Sequence, residues 1–459
     1  MKIKIVALFI LLSGTVFSQE KTTSTTFKKR VLESTEVDFL ASYYNQDGSR
    51  SAVSGGLGSE KLTDIASNIV IAMPLNDDDI LTIDLGLSAY TSASSSNINP
   101  YDSGAKPTPW QASSGASKSD QLVSAVASYS HSNDSRNFIW NADASFSNEY
   151  DYTSVGFGGG IARLFNEKNT ELSLKVNAYL DQWRPIYPKE LEEYSKYGSN
   201  FTNQGYLGGI TVLDQNGQAT NGYSPSAFKT ISAVSRNSFS ASFGFSQVVT
   251  KKLQFSVFFD VLQQQGLLST PYHRMYFADK ANFYIGQAQS ISNYENASNT
   301  GVYKLADDIE RLPDSRFKLP IGARLNYYIN ERFIVRTYYR FYSDNWNIQS
   351  HTASIELPVK LSDKFTIFPM YRYYKQTASK YYAPYETHLS TETFYTSDAD
   401  LAAFFANQYG FGVNYTDIFT AAKLWRFGLK NIDFRFNHYQ RSDKLNANIA
   451  TVAFKFIMQ

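Results

Sequence analysis

ILTIDLGLSAYT, residues 80–91, alternates without a break. Leu81, Ile83, Leu85, Leu87 and Ala89 fall on one side of an extended chain, and Thr82, Asp84, Gly86, Ser88 and Tyr90 on the other. Successive side chains of a strand point to opposite faces, so this segment builds one apolar wall and one polar wall. The pattern recurs in 36–44, 61–73, 121–131, 137–149, 153–165, 170–183, 235–249 and 252–265. It continues in 316–328, 332–344, 350–361, 364–377, 404–415, 430–439 and 445–457. The fold class predicted is all-β: a transmembrane antiparallel β-barrel of about 16 strands (roughly 14–18) with long extracellular loops and short periplasmic turns.

The connections give an independent check. Short polar turns are expected at 76–79, 132–136, 166–169, 250–251, 329–331 and 362–363, and long connections at 91–120, 184–234, 266–314 and 378–403. If the first strand runs outward, every long connection falls at one rim and every one of these turns at the other. That is the rhythm of an outer-membrane barrel. Short outer turns at 345–348 and 440–444 are compatible with it. Residues 417–429 read as a longer inner connection with room to conceal one more strand. A chain of soluble β-sandwich domains would also alternate, but would not produce this rhythm.

Composition narrows the field. The chain has no Cys, which excludes disulfides, thiolate metal sites, a catalytic Cys and a lipidated Cys. Lys+Arg is 43 and Asp+Glu 42, so no basic face for nucleic acid is expected. Aromatics reach 15%, with 33 Tyr and 33 Phe, which suits interfacial girdles. Mean hydropathy of −0.33 is compatible with a membrane barrel, because only one face of each strand meets lipid. Lys2, Lys4 and the apolar run 5–12 read as a signal peptide over 1–18, cleaved between Ser18 and Gln19. Residues 19–34 are then a periplasmic lead-in and 35–459 the barrel, in the outer membrane of a diderm bacterium. Outer-membrane lipid is one expected partner. The barrel-assembly machinery is another, because Val452, Phe454, Phe456 and Met458 share a face of the last strand, followed by Gln459.

No catalytic motif is visible, and no enzyme is expected. His131, His273, His351, His388 and His438 lack the spacing of a metal-ligand set, and each reads as an ordinary strand or loop residue. A hydrolase would need an acid, a His and a Ser at a strand top. His273, His351 and His388 lie near outer ends, but no Ser stands out as their partner. GFGGG (156–160) lacks the Lys and the helix of a phosphate loop and reads as glycine easing strand curvature.

The charged strand positions are more informative. Arginine on the lipid face near the midplane costs about 2–4 kcal/mol, so Arg336 and Arg340 must face the lumen. By the same parity Arg324, Glu356, Lys360 and Arg372 face inward. Register estimates place Glu356 opposite Arg336, with Arg324 and Arg372 on flanking strands, as a cluster of several arginines around one glutamate. A salt-bridge network bracing a filled lumen is the first reading and an anion-attracting constriction the second. The tyrosines of YRYYKQTASKYYAPYE (371–386) read first as an interfacial girdle and second as a ligand-stacking surface.

GLLSTPYHRMYF (266–277), ERLPDSRF (310–317), YYRFYSDNWNIQSHT (338–352) and YRYYKQTASKYY (371–382) resemble the bacterial DUF3570 domain, as does SGASKSD (114–120) in the first half. The likeness covers most of the mature chain; the insertion 282–308 and the apolar run 368–370 depart from the pattern. The resemblance implies a barrel-like outer-membrane protein with no assigned activity. It also implies a setting beside a small lipoprotein and a flavin transferase. A periplasmic lipoprotein or flavoprotein is therefore a possible partner, although no flavin-binding pattern is visible and no cofactor is expected. Within the motifs, Pro271 and Pro313 mark junctions of outer loops with strand tops, and Tyr272 and Trp346 stand beside them. Asp314, Arg316 and Asp344 are expected to pin those loops by charge-assisted bonds. The leading functional reading is a transport or scaffold barrel. A barrel component of an envelope redox or flavin-linked complex is second, and an outer-membrane hydrolase third.

Overall fold

The computed structural model describes residues 30–91, 119–294 and 301–459. The expected signal peptide, most of the lead-in and residues 114–118 lie outside them. Strands β1 (Glu36–Asp47), β2 (Leu62–Pro74), β3 (Asp79–Thr91) and β4 (Ser119–Ser132) open the barrel. They are followed by β5 (Phe138–Asn148), β6 (Tyr152–Phe165), β7 (Thr170–Trp183) and β8 (Val234–Thr250). Next come β9 (Leu253–Gly266), β10 (Ser315–Tyr328), β11 (Ile334–Asp344) and β12, which is Gln349–Glu356 continued by Val359–Lys360. The break in β12 falls at Leu357–Pro358, where proline has no N–H to give the ladder. Strands β13 (Phe365–Gln376), β14 (Phe404–Thr416), β15 (Phe427–Arg441) and β16 (Asn446–Met458) complete the wall.

Each strand pairs antiparallel with the next, and β16 returns to β1 with Glu36 opposite Ile457 and Phe39 opposite Phe454. The sheet is closed and has no edge. The strands expected from alternation are the strands observed; the long loops among the described residues share one rim with the short turns at 345–348 and 442–445, and the remaining short turns lie at the other. Several boundaries move by two or three residues; β1 runs on to Asp47 and β15 begins at Phe427, where Lys423–Leu424 folds back on Gly428 and Phe427 as a small hairpin. No extra barrel strand is hidden there.

Closure fixes which side chains meet which medium. Odd positions of β3 point outward, with Leu85 47% and Leu87 49% exposed. Outward residues of β6 and β7 behave alike, with Phe157 56% and Val176 51% exposed. An apolar band of this extent is the lipid-facing surface of a transmembrane barrel. The inward face of β4 to β8 is made of small polar residues, including Ser124, Ser128, Ser145, Ser173, Ser240 and Ser242. Two glycines of β6 also make room for neighbouring side chains. A Cβ on Gly156 would sit 2.7 Å from the Tyr179 ring, and one on Gly158 would sit 2.7 Å from Asn177 Oδ1.

The buried apolar residues lie mainly in the outer loops. Leu191, Phe201, Leu207, Tyr223, Tyr276, Ile285, Tyr303 and Leu305 form one core. They come from the loops 184–233 and 267–314, with Tyr385 of 377–403 packed alongside. Helix α1 (Lys189–Tyr197) and short strands at Val212–Leu213, Tyr284–Gly286 and Val302–Lys304 give this cap regular backbone pairing. It closes over the long-loop rim.

Val176→Lys, on the lipid-facing band, will cost about 2–4 kcal/mol of stability in lipid vesicles. Ser128→Lys, on the lumen face, will cost much less. Urea unfolding followed by heat-modifiable gel mobility measures both.

Candidate functional site

The expected inward residues Arg324, Arg336, Arg340, Glu356 and Arg372 all share the lumen parity of β10 to β13. Arg336 and Glu356 are cross-strand partners, and Arg336 Nη1 donates to Glu356 Oε1 at 2.9 Å. The second oxygen is taken by a residue the sequence reading did not single out. Arg435 of β15 donates through Nη1 to Glu356 Oε2 at 2.8 Å, and through Nε to Asp433 at 2.9 Å. It reaches across β14 and β13, where Gly412 stands between Phe368 and Arg435 in the register and presents no side chain. A Cβ there would lie 3.2 Å from Arg435 Cγ and 3.3 Å from Phe368 Cβ. The Arg435 guanidinium lies 4.9 Å over the Phe368 ring and that of Arg336 6.0 Å from it. The apolar run at 368–370 therefore places an aromatic face under two cations.

The expected cluster of arginines around one glutamate needs correcting. Arg324 does not pair with Glu356; its guanidinium stacks 5.2 Å from Phe258 and 5.6 Å from Tyr338. Lys360 pairs with Asp363 in the adjoining turn. Among the described residues Arg340 and Arg372 form no ion pair, and Arg340 Nε is buried without a hydrogen-bond partner. Arg372 lines a cavity of about 290 Å³ with Tyr374, Gln408, Tyr439, Asp400 and Arg441. About half-way round the barrel, Asp64 and Asp84 are held by the neutral donors Ser88 and Asn68 rather than by cations. Among the described residues, then, Asp64 and Asp84 have no cation partner and Arg340 and Arg372 have no carboxylate partner.

The rim pins fall where the motifs place them, with one change. Arg316 donates to Asp344 Oδ2 through Nη2 at 2.6 Å and through Nε at 2.9 Å. Asp344 also accepts from the backbone N–H groups of Trp346 and Ile348. Arg316 lies 4.3 Å over the Trp346 ring, and Trp346 packs with Leu268 and Leu312. Asp314 acts through its carbonyl, which accepts from Gly266 N, and not through its charge. Pro271 is buried in the cap, and Pro313 precedes the first residue of β10 by two positions.

The cap is held by a fully buried cation. Arg274 and Glu190 are 0% exposed and meet through Nε–Oε1 at 2.7 Å and Nη2–Oε2 at 3.2 Å. Arg274 Nη1 also donates to the Val53 carbonyl at 3.3 Å, so one side chain joins the loops 48–61, 184–233 and 267–314. Lys304 pairs with Glu386 between the rings of Tyr276 and Tyr385. The C-terminal part of the tyrosine-rich segment thus belongs to the cap rather than to a girdle.

Beneath the cap is a cavity of about 500 Å³, lined by Tyr44, Glu60, Tyr90, Tyr272, His273, Asp398 and Arg441 among others. Burial, reinforced by the Asp400 charge, pushes the Glu60 carboxyl up to about 7 despite a hydrogen bond from Arg50 N–H. Burial likewise pushes Asp398 up to about 6. His273, Glu310 and Asp398 present donor atoms that all lie within 4.8 Å of one another. Their positions in two separate loops explain why no sequence spacing revealed them.

The family model described as "Protein of unknown function (DUF3570)" matches residues 4–454, and the chain belongs to that family. Comparison with curated proteins finds no match. Among solved structures, the chain is similar to a bacterial polysaccharide outer membrane secretin, at 9% identity and TM-score 0.41, covering 92% of this chain and 98% of that one. It is also similar to the toluene transporter TodX of P. putida, at 9% identity and TM-score 0.37, covering 94% and 91%. A mutant ferric enterobactin receptor, PfeA, of Pseudomonas aeruginosa matches at 9% identity and TM-score 0.41, covering 90% of this chain and 54% of that one. Likenesses of this size carry no argument about cargo.

Glu190→Ala breaks the buried Arg274–Glu190 pair, a loss of about 3–5 kcal/mol. Limited proteolysis will then cut 184–233 while the barrel keeps its heat-modifiable mobility. The Glu60 carboxyl predicts a pH effect of definite sign. Its folded value lies above the ordinary 4.5 of a free glutamate, so its contribution to cap stability is full below 4.5 and is lost as pH rises toward about 7. Glu60→Gln will remove that part of the pH dependence and make the cap more protease-resistant at pH 8.

Proposed function

We infer that this chain is an outer-membrane transport-type barrel whose lumen accommodates a polar solute carrying a negative group. The lipid-facing band and closed ladder support the location. The observation that carries the solute class is the pair Arg340 and Arg372, which face the lumen with no carboxylate partner among the described residues. A bracing network accounts for Arg336, Arg435, Glu356 and Asp433, each of which has its counter-charge. It does not account for Arg340 and Arg372. Leaving such cations uncompensated costs free energy unless water or a passing anion solvates them. The opposing Asp64 and Asp84 set a field across the lumen, which orients a solute bearing both charges.

Reversal potentials in planar bilayers under a KCl gradient test this reading. The double variant Arg340→Gln, Arg372→Gln will shift selectivity toward cations. Glu356→Gln, which removes the carboxylate from Arg336 and leaves Arg435 with Asp433 alone, will shift it toward anions. Unchanged selectivity in both variants, or a barrel that carries no current, contradicts the proposal.

A further inference from the structure

We propose that His273, Glu310 and Asp398 form a binding site for one divalent transition-metal ion, of the zinc or manganese class, at the underside of the cap. The site rests on geometry. His273 Nδ1 and Glu310 Oε1 are 3.5 Å apart, which is slack for a pair that a charge-assisted bond would draw to about 2.7–2.9 Å. Two donors held at about 2.1 Å from a tetrahedral ion stand roughly 3.4 Å apart, so the observed separation is that of two ligands of one centre. Asp398 brings a third donor atom within 4.8 Å of the other two.

The surroundings are those of a ligand set. Glu310 is fixed by Thr396 Oγ1 on one oxygen and Thr270 N–H on the other, so its carboxylate is aimed before any ion arrives. The Tyr272 ring meets the His273 ring edge-on at 5.0 Å and fixes the imidazole plane. Asp398 spends Oδ1 on the Asp400 N–H as a helix cap and has no cation on its other oxygen among the described residues. Two carboxylates share one imidazole in a partly buried place, and even a protonated His273 leaves the trio short of positive charge. A divalent ion supplies it. One nitrogen and two oxygen donors suit zinc, manganese or iron(II) better than calcium, which takes oxygen ligands only.

The site is open on one side. His273 and Asp398 both line the cavity of about 500 Å³, so three protein ligands leave a coordination position facing it. An ion there is exchangeable, and it ties the loop 267–314, which carries His273 and Glu310, to the loop 377–403, which carries Asp398. Loading therefore stiffens the cap where it faces the lumen.

The test uses the full-length barrel in detergent, stripped with chelator and titrated with zinc chloride, and in parallel with cobalt(II) chloride read by visible absorption. About one ion per chain is expected, with affinity roughly tenfold or more weaker in His273→Gln and Asp398→Asn. Zinc will also slow protease cleavage of 377–403 in the wild type and not in Asp398→Asn. That variant keeps the oxygen that caps Asp400, so it decides the matter alone if His273→Gln fails to assemble. No stoichiometric binding by the wild type, or equal binding by Asp398→Asn, overturns the proposal. Selectivity in bilayers is a separate readout, so failure here leaves the arginine reading standing and the reverse.

Discussion

The hydrogen-bond ladder between β1 and β16 is the constraint from which the rest follows. Inside lipid a free row of backbone N–H and C=O groups costs several kcal/mol per group, so a spanning sheet has to close on itself. Once Glu36–Asp47 is in register with Asn446–Met458, the parity of every strand is locked. A slip of one residue anywhere would turn a charged row into lipid. The alternation in 80–91 and the inward arginines of β11 are consequences of one closed register. So is the contrast between a serine-lined wall and an arginine-lined one, because the lumen is where polar side chains of any size are tolerated.

Closure also explains why a cap exists with a core of its own. A barrel this wide has a polar interior and no hydrophobic centre, so long loops cannot be ordered by the strands alone. Leu191, Phe201, Leu207, Tyr276 and Tyr303 provide a separate core at the long-loop rim. The charges buried with them are paired: Arg274 with Glu190, Lys304 with Glu386. Buried pairs add little net stability compared with apolar replacements, but breaking one is costly. They specify which loop meets which. Arg274 does this most fully, since Glu190 and the Val53 carbonyl come from different loops.

The barrel was legible in the sequence because its signal is local and repeated. Strand number, rim assignment and the inward facing of Arg336, Glu356 and Arg372 follow from a period of two and the cost of charge in lipid. The Arg336–Glu356 pair was legible because a short hairpin joins the two strands. Arg435 was not, although Asp433 and Arg435 alternate in the same way. Its reach to Glu356 depends on the missing side chain of Gly412, two strands from β12. The cap was hidden for the same reason. Arg274 and Glu190 are 84 residues apart with no periodic pattern between them, and His273 meets Asp398 only through the folding of two loops. The stretches that carry the family resemblance contain Arg274, His273 and Glu310, but nothing local marks their partners.

The chain has no Cys, which permits the most direct test of closure and parity together. Single cysteines placed along Ile334–Asp344 of β11, one position at a time, can be challenged with a small membrane-impermeant thiol reagent on barrels in lipid vesicles. Cysteine at Arg336, Tyr338, Arg340 and Tyr342 should react from the aqueous lumen, and cysteine at Val335, Thr337, Tyr339 and Phe341 should stay unlabelled in lipid. Labelling without a two-residue period, or with the opposite phase, would contradict the closed barrel with its arginine wall inside.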